Sequence, residues 1–259
     1  MRDQLEEAQK HRDDGYGRAQ HHTKNDLPKR HYKDVGVVPV DGGFAVTLDG
    51  RPVKTPGAKI PVVVPVAEIA TAMAAEWAAQ GERIDPDPMP MVRLINSALE
   101  SGEAMVPAFR DEVIKFAGND ALLYRAETPD DLVAEQEAAW DPALVTLARH
   151  FGVSFRPTIG IIHQPQPAVT LARLADALQE QGLLVMTAMV SVTGLTGSGL
   201  LAIGLLHRLL DRDQVWAAAH VDEDHQIRFW GQDEEAAARR AKRRLEFDTA
   251  VNVLEWLRN

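Results

Sequence analysis

Several short stretches hold residue types that could do chemistry. HVDEDH (His220–His225) sets two histidines around three carboxylates, the donor types of a divalent-metal site. Two helical ligands that share one ion are spaced i, i+4, whereas these histidines are i, i+5. The acids are read instead as solvating a helix–helix loop. GLTGSG (Gly194–Gly199) could cradle a phosphate, but its order is G-x-x-G-x-G rather than G-x-G-x-x-G, and no lysine follows it. A packing turn between helices is the simpler reading. RRAKRR (Arg239–Arg244) is a dense basic run that winds around a helix rather than lining one stripe. It is read as a solvated helix beside acidic neighbours, with a partner-docking patch as the second reading. His21-His22 belongs to a polar tail and is not read as a metal site. Ser, His and Asp are all present, but G-x-S-x-G is not, and no acid/base pair can be placed. The chain has no cysteine, which excludes disulfides, thiolate catalysis and cysteine zinc sites and fits a reducing compartment. No catalytic residue, metal or cofactor is therefore expected, and the chain is not expected to be an enzyme.

A different signal lies in EWAAQGERIDPDPMPMVRLIN (Glu76–Asn96). A helical run carrying Trp77 stops at Gln80-Gly81. Pro86, Pro88 and Pro90 then alternate with Asp87, Met89 and Met91 before an apolar helical pattern resumes. Trp77 shares a helical face with Ile69 and Met73, so it is expected to anchor the core. Met89 and Met91 suit either irregular core gaps or an adaptable partner surface, and core packing is the favoured reading of each.

The elements around these residues divide the chain. It has 259 residues, 45% of them hydrophobic, enough for a sizeable core. Its 28 basic and 38 acidic residues give a net charge of −10, a poor balance for neutralising nucleic-acid phosphates. Residues 1–30 lack an apolar signal core and read as a mobile polar arm. From His31 to Val64, VGVVPV, FAVTLDG and KIPVVVP alternate with turns at Asp41-Gly42-Gly43 and Asp49-Gly50, a small hairpin sheet. Helical patterns follow over Val66–Trp77, Pro107–Phe116, Asp130–Trp140, Pro142–Phe151, Pro167–Gln181, Leu200–Leu210, Asp213–His220 and Asp233–Leu257. Gly182–Leu206 carries no charge and is long enough to span a bilayer. Its five glycines, three threonines and two serines favour two buried pieces broken near Gly194–Gly199, without membrane insertion. The class is α+β: a β-rich N-terminal domain over 31–95, with its first helix and Pro/Met connector, followed by a larger helical domain over 96–259.

KRHYKDVGV, VTLDGRPVKTPG, AAEWAAQGERIDPDPMPMVRLIN, GNDALLYR, QEAAWDP, GLTGSGLLAIGLL and QIRFWGQDEE, in this order, resemble the ATP synthase F1 complex assembly factor 2 family. The resemblance runs from about Lys29 to the last helix. It implies a β-rich domain followed by a helical one, and a non-enzymatic chaperone that holds the free F1 alpha subunit until it pairs with the beta subunit. It implies a cytoplasmic protein here, with eukaryotic relatives in the mitochondrial matrix; a monomer is expected. Under it, Trp77 is a packed anchor and DPDPMPM a stiff interdomain connector. The family's W-G-x-x-E is met by Trp230, Gly231 and Glu234, while the later aromatic, His and Asp of its pattern are not. Asp233 is a plausible N-cap, which puts Glu234 in a first helical turn, where the helix dipole alone would favour an acid. As the family-matching acid, Glu234 is expected to contact the partner, with Asp233 and Trp230 beside it. The alternative is a small-molecule hydrolase whose carboxylates converge from distant helices as a buried pair.

Overall fold

The computed structural model describes residues 27–231 and 233–258; most of the arm and His21-His22 lie outside them. The chain opens with β1 (Val35–Val40) and β2 (Gly43–Leu48), paired antiparallel from Val35↔Leu48 to Val40↔Gly43. Asp49 and Gly50 both adopt positive φ (48° and 76°), the two-residue hairpin geometry that matches strand twist, and lead into β3 (Arg51–Pro52). The last strand of this sheet, β4 (Val63–Val64), pairs with the start of β2. A Cβ on Gly43 would stand 2.2 Å from the Val64 carbonyl oxygen, so that crossing requires glycine.

One face of the sheet is covered by α1 (Ala67–Ala78), which buries Ile69, Ala70 and Met73. The connector follows, then α2 (Pro90–Ser101), with Pro90 in its first turn, where a missing N–H costs nothing. The domain boundary expected at residue 95 therefore falls inside a helix. That helix packs on the later helices as well as on α1, and a single apolar core runs from Val46 in the sheet to Leu254. The expected arm is also too long by a few residues. Lys29 bridges Arg83, and the backbone amides of Arg30 and Ile84 donate to Glu82 and Pro28.

The helical part contains α3 (Val106–Gly118), α4 (Asp130–Phe151), α5 (Ala168–Asp176), α6 (Leu183–Thr196), α7 (Gly199–Leu206), α8 (Arg212–Ala219), α9 (Val221–Trp230) and α10 (Glu234–Trp256). Two expected helices are one: α4 runs through Pro142 unbroken. Buried residues on both sides of the proline hold it, with Trp140 donating its indole N–H to the Ala218 carbonyl at 2.7 Å and Leu144 and Leu147 in the core. A short parallel pair, β5 (Tyr124–Arg125) with β6 (Thr158–Ile159), was not expected.

The uncharged segment forms α6 and α7, broken at left-handed Gly197 and at Ser198, whose hydroxyl caps α7 by accepting from the Leu201 amide. Every residue of α7 is buried. Gly199 lies against α3, where a Cβ would stand 2.3 Å from the Val113 oxygen. Asp120 accepts from the Leu200 amide in the first turn of α7 at 2.9 Å, and from the Leu122 amide of its own segment at 3.2 Å. GLTGSG is thus a packing turn, and an internal carboxylate meets the helix amide that follows it. Among the described residues no helix is long and apolar enough to cross a membrane.

Candidate partner-binding surface

Two tryptophan-bearing corners carry the residues expected from sequence. At the first, Met89 and Met91 are buried in the core, while Trp77 is only partly buried, at the rim of the face that Ile69 and Met73 bury. The Tyr32 ring meets Trp77 edge-on at 5.7 Å, and its hydroxyl donates to the Trp77 carbonyl at 2.8 Å. The residues that fix the connector are those flanking the tryptophan. Glu76 accepts from the Met91 and Val92 amides, each at 2.8 Å, and so caps α2 from outside it. Burial raises the Glu76 pKa against the opposing pull of those amides. Gln80 accepts from the Asp85 amide at 2.6 Å and donates to the Glu76 carbonyl at 3.3 Å. Neither role has a local sequence signal beyond the E-W-x-x-Q spacing.

The second corner joins α9 to α10. Trp230 is 88% exposed and Phe229 62%, and Gly231 turns the chain at φ 77°. Asp233 is the N-cap of α10, its carboxylate accepting from the Ala236 amide at 2.6 Å. That commitment leaves Glu234, exposed in the first turn, as the acid without a side-chain partner among the described residues; Glu235 pairs with Arg239 at 2.5 Å.

HVDEDH is not the loop expected of it. His220 precedes α9, and the acids fill its first turn, where they favour the helix dipole. The two histidines separate. His220 is buried and stacks on Trp216 at 3.9 Å. His225 faces α4, where Asp131, Glu135 and His225 bring their donor atoms within 4.8 Å of one another. A cation already lies there: Arg228 pairs with Glu135, and its guanidinium nitrogen lies 3.1 Å from His225 Nδ1. The Arg228 hydrogen bond holds the Glu135 pKa below the usual value. This cluster pins α9 to α4 directly beneath the exposed aromatics, with Phe229 4.9 Å from the His225 ring.

The basic run on α10 is paired throughout: Arg239 with Glu235, Arg240 with Asp224, Lys242 with Asp87, Arg243 with Glu223, and Arg244 with Asp213 and Asp248. Asp120 is the only buried carboxylate among the described residues, and amides take its oxygens, so the buried acid pair that a hydrolase would need is not found among them. An exposed apolar stretch, Ile159 at the end of β6 with Ile161 and Ile162 after it, also escaped the sequence reading.

The fold class is a small β-rich sheet leading into a helical bundle, here with an exposed aromatic corner between α9 and α10. The comparisons specify the class. The family model for the ATP12 chaperone protein matches residues 29–148. The crystal structure of Atp12 from Paracoccus denitrificans superposes with a TM-score of 0.79 at 34% identity, covering 88% of this chain and 98% of that one. A candidate chaperone from Agrobacterium tumefaciens superposes with a TM-score of 0.83 at 40% identity, covering 89% of this chain and 87% of that one. The mitochondrial protein atp12 of Schizosaccharomyces pombe is 24% identical over 219 residues, 80% of this chain and 75% of that protein. The chain belongs to the ATP12 chaperone family, the assembly-factor family that its motifs resemble.

Proposed function

We propose that the chain is a chaperone of ATP synthase assembly that holds the free F1 alpha subunit through the Trp230–Glu234 corner. The observation that carries this reading is the exposure of Trp230 beside Phe229 on a turn held from below. A large aromatic pair left in water at a fixed position suits a partner pocket, and tryptophan is the residue type most enriched where binding energy concentrates. Glu234 adds an acid that can accept a charge-assisted hydrogen bond from a basic group of the subunit. Asp233 contributes by capping the helix that presents it. An unassembled ring subunit exposes apolar interface and aggregates. A stoichiometric holder needs affinity for that state and little for the assembled one, and it needs no nucleotide chemistry.

The test is light scattering of dilute alpha subunit with and without an equimolar amount of this chain. Suppression without ATP is expected. Absence of protection, or protection only with ATP, contradicts the reading.

A further inference from the structure

A second surface of this acidic chain offers cations together with apolar walls. His31, Tyr32, Leu48, Asp49, Arg51, Pro52, Val53, Lys54 and Trp77 enclose a groove of about 490 Å³ between the β2–β3 hairpin and the end of α1. Arg51 and Lys54 stand exposed on its rim, and among the described residues neither meets a carboxylate within ion-pair distance. That contrasts with Arg239–Arg244, where every cation is paired. The one acid in the groove, Asp49, is committed to the hairpin: it accepts from the Lys33 and Asp34 amides at 3.0 and 2.8 Å, which hold its pKa below the usual value. The walls between the cations are apolar and aromatic, with Leu48 and the Trp77 ring partly open. At about 490 Å³ the groove has room for a peptide segment rather than one small ion. Arg51 and Lys54 both line the groove while its one acid already accepts from two amides, so the uncommitted charge it offers a ligand is positive.

We infer that this groove docks an extended acidic segment of a partner polypeptide, its carboxylates pairing with Arg51 and Lys54 and its apolar side chains lying on Leu48 and Trp77. The inference stands on the groove's charge and walls and is independent of which subunit the Trp230 corner holds. Complementary charge of this kind sets selectivity and salt dependence more than raw affinity.

The probe is a fluorescein-labelled octapeptide alternating glutamate and leucine, titrated into the full chain by anisotropy. A lysine–leucine octapeptide and phosphatidylserine vesicles serve as the comparison arms. The Trp77 indole N–H, which has no hydrogen-bond partner among the described residues, reports occupancy in an ¹H–¹⁵N spectrum, assigned with Trp77→Phe. The acidic peptide is expected to bind, to move that cross-peak, and to lose about tenfold or more in affinity with Arg51→Glu/Lys54→Glu. Both positions are exposed, and a matching melt shows that the double variant folds. Equal binding of the basic peptide, affinity unchanged by the charge reversal, an unmoved indole signal, or vesicle binding in place of peptide binding overturns the inference.

Discussion

The two tryptophan corners are alike in sequence and opposite in structure. Trp77 and Trp230 each end a helix shortly before a glycine, and each has acids and an apolar neighbour close by. Around Trp77 the acid is spent internally: Glu76 caps α2, Gln80 pins the connector and Tyr32 closes over the ring. Around Trp230 the tie is made one layer down, by Glu135 with His225 and Arg228, and the aromatic pair and Glu234 are left in water. Residue composition therefore does not separate a supporting corner from a displaying one; what separates them is where the polar groups find partners. Substitutions at a supporting corner are expected to move stability, and those at a displaying corner to move binding.

The largest stability effect is expected at Asp120, a supporting carboxylate that does for α7 what Glu76 does for α2. Asp120→Ala leaves two buried amides without an acceptor and is expected to cost about 3–6 kcal/mol, at about 1.5–3 for each bond to a charged group; a urea midpoint measures it. Desolvation raises the Asp120 pKa from 3.8 to about 7. Between those values the folded chain binds more protons than the unfolded one, so this group makes stability fall as pH rises through that window. Asp120→Asn is expected to flatten the slope, and an unchanged slope would remove Asp120 from the account.

Next comes Trp77→Ala, expected to cost about 2–3 kcal/mol, below the value for a fully buried tryptophan because the ring is partly open. Glu76→Ala is expected to cost about 1.5–3 kcal/mol, less than two fully buried bonds to a charged group because Glu76 is only half-buried and water can reach the freed amides. If either leaves the urea midpoint in place, the first corner is not a support. At the displaying corner, Glu234→Lys is expected to shift the melt by less than about 1 kcal/mol, the scale of a helix-dipole term, while weakening alpha-subunit binding. Glu235→Lys, which breaks an exposed pair with Arg239, should match it in the melt and spare binding. Equal binding loss in the two variants would reduce Glu234 to ordinary helix dressing.

What the sequence makes legible follows the range of the forces involved. The N-terminal sheet is readable because Asp49-Gly50 and Gly43 specify turns locally, and the α6–α7 break because Gly197 and Ser198 are a stop and a cap. The continuous α4 is not readable, since Pro142 is a local breaker overruled by packing around Trp140 and Leu144. The β5–β6 pair joins residues more than thirty apart through two-residue strands, too short for any periodicity. At the candidate surface, the acid cap of α10 is legible from Asp233. The bracing beneath it, which links His225 to Glu135 across ninety positions, is not. The i, i+5 spacing of the histidines does not foresee that each finds a separate neighbour, Trp216 for His220 and Glu135 for His225.

The most direct test of the central claim is the affinity of purified alpha subunit for Trp230→Ala, measured by titration calorimetry beside the parent chain with both melts recorded. Truncating an exposed tryptophan should leave the melt within about 0.5 kcal/mol. If Trp230 is the binding anchor, affinity should drop by about 2 kcal/mol, close to thirtyfold. Unchanged affinity, or a loss that only follows a loss of stability, would contradict the account.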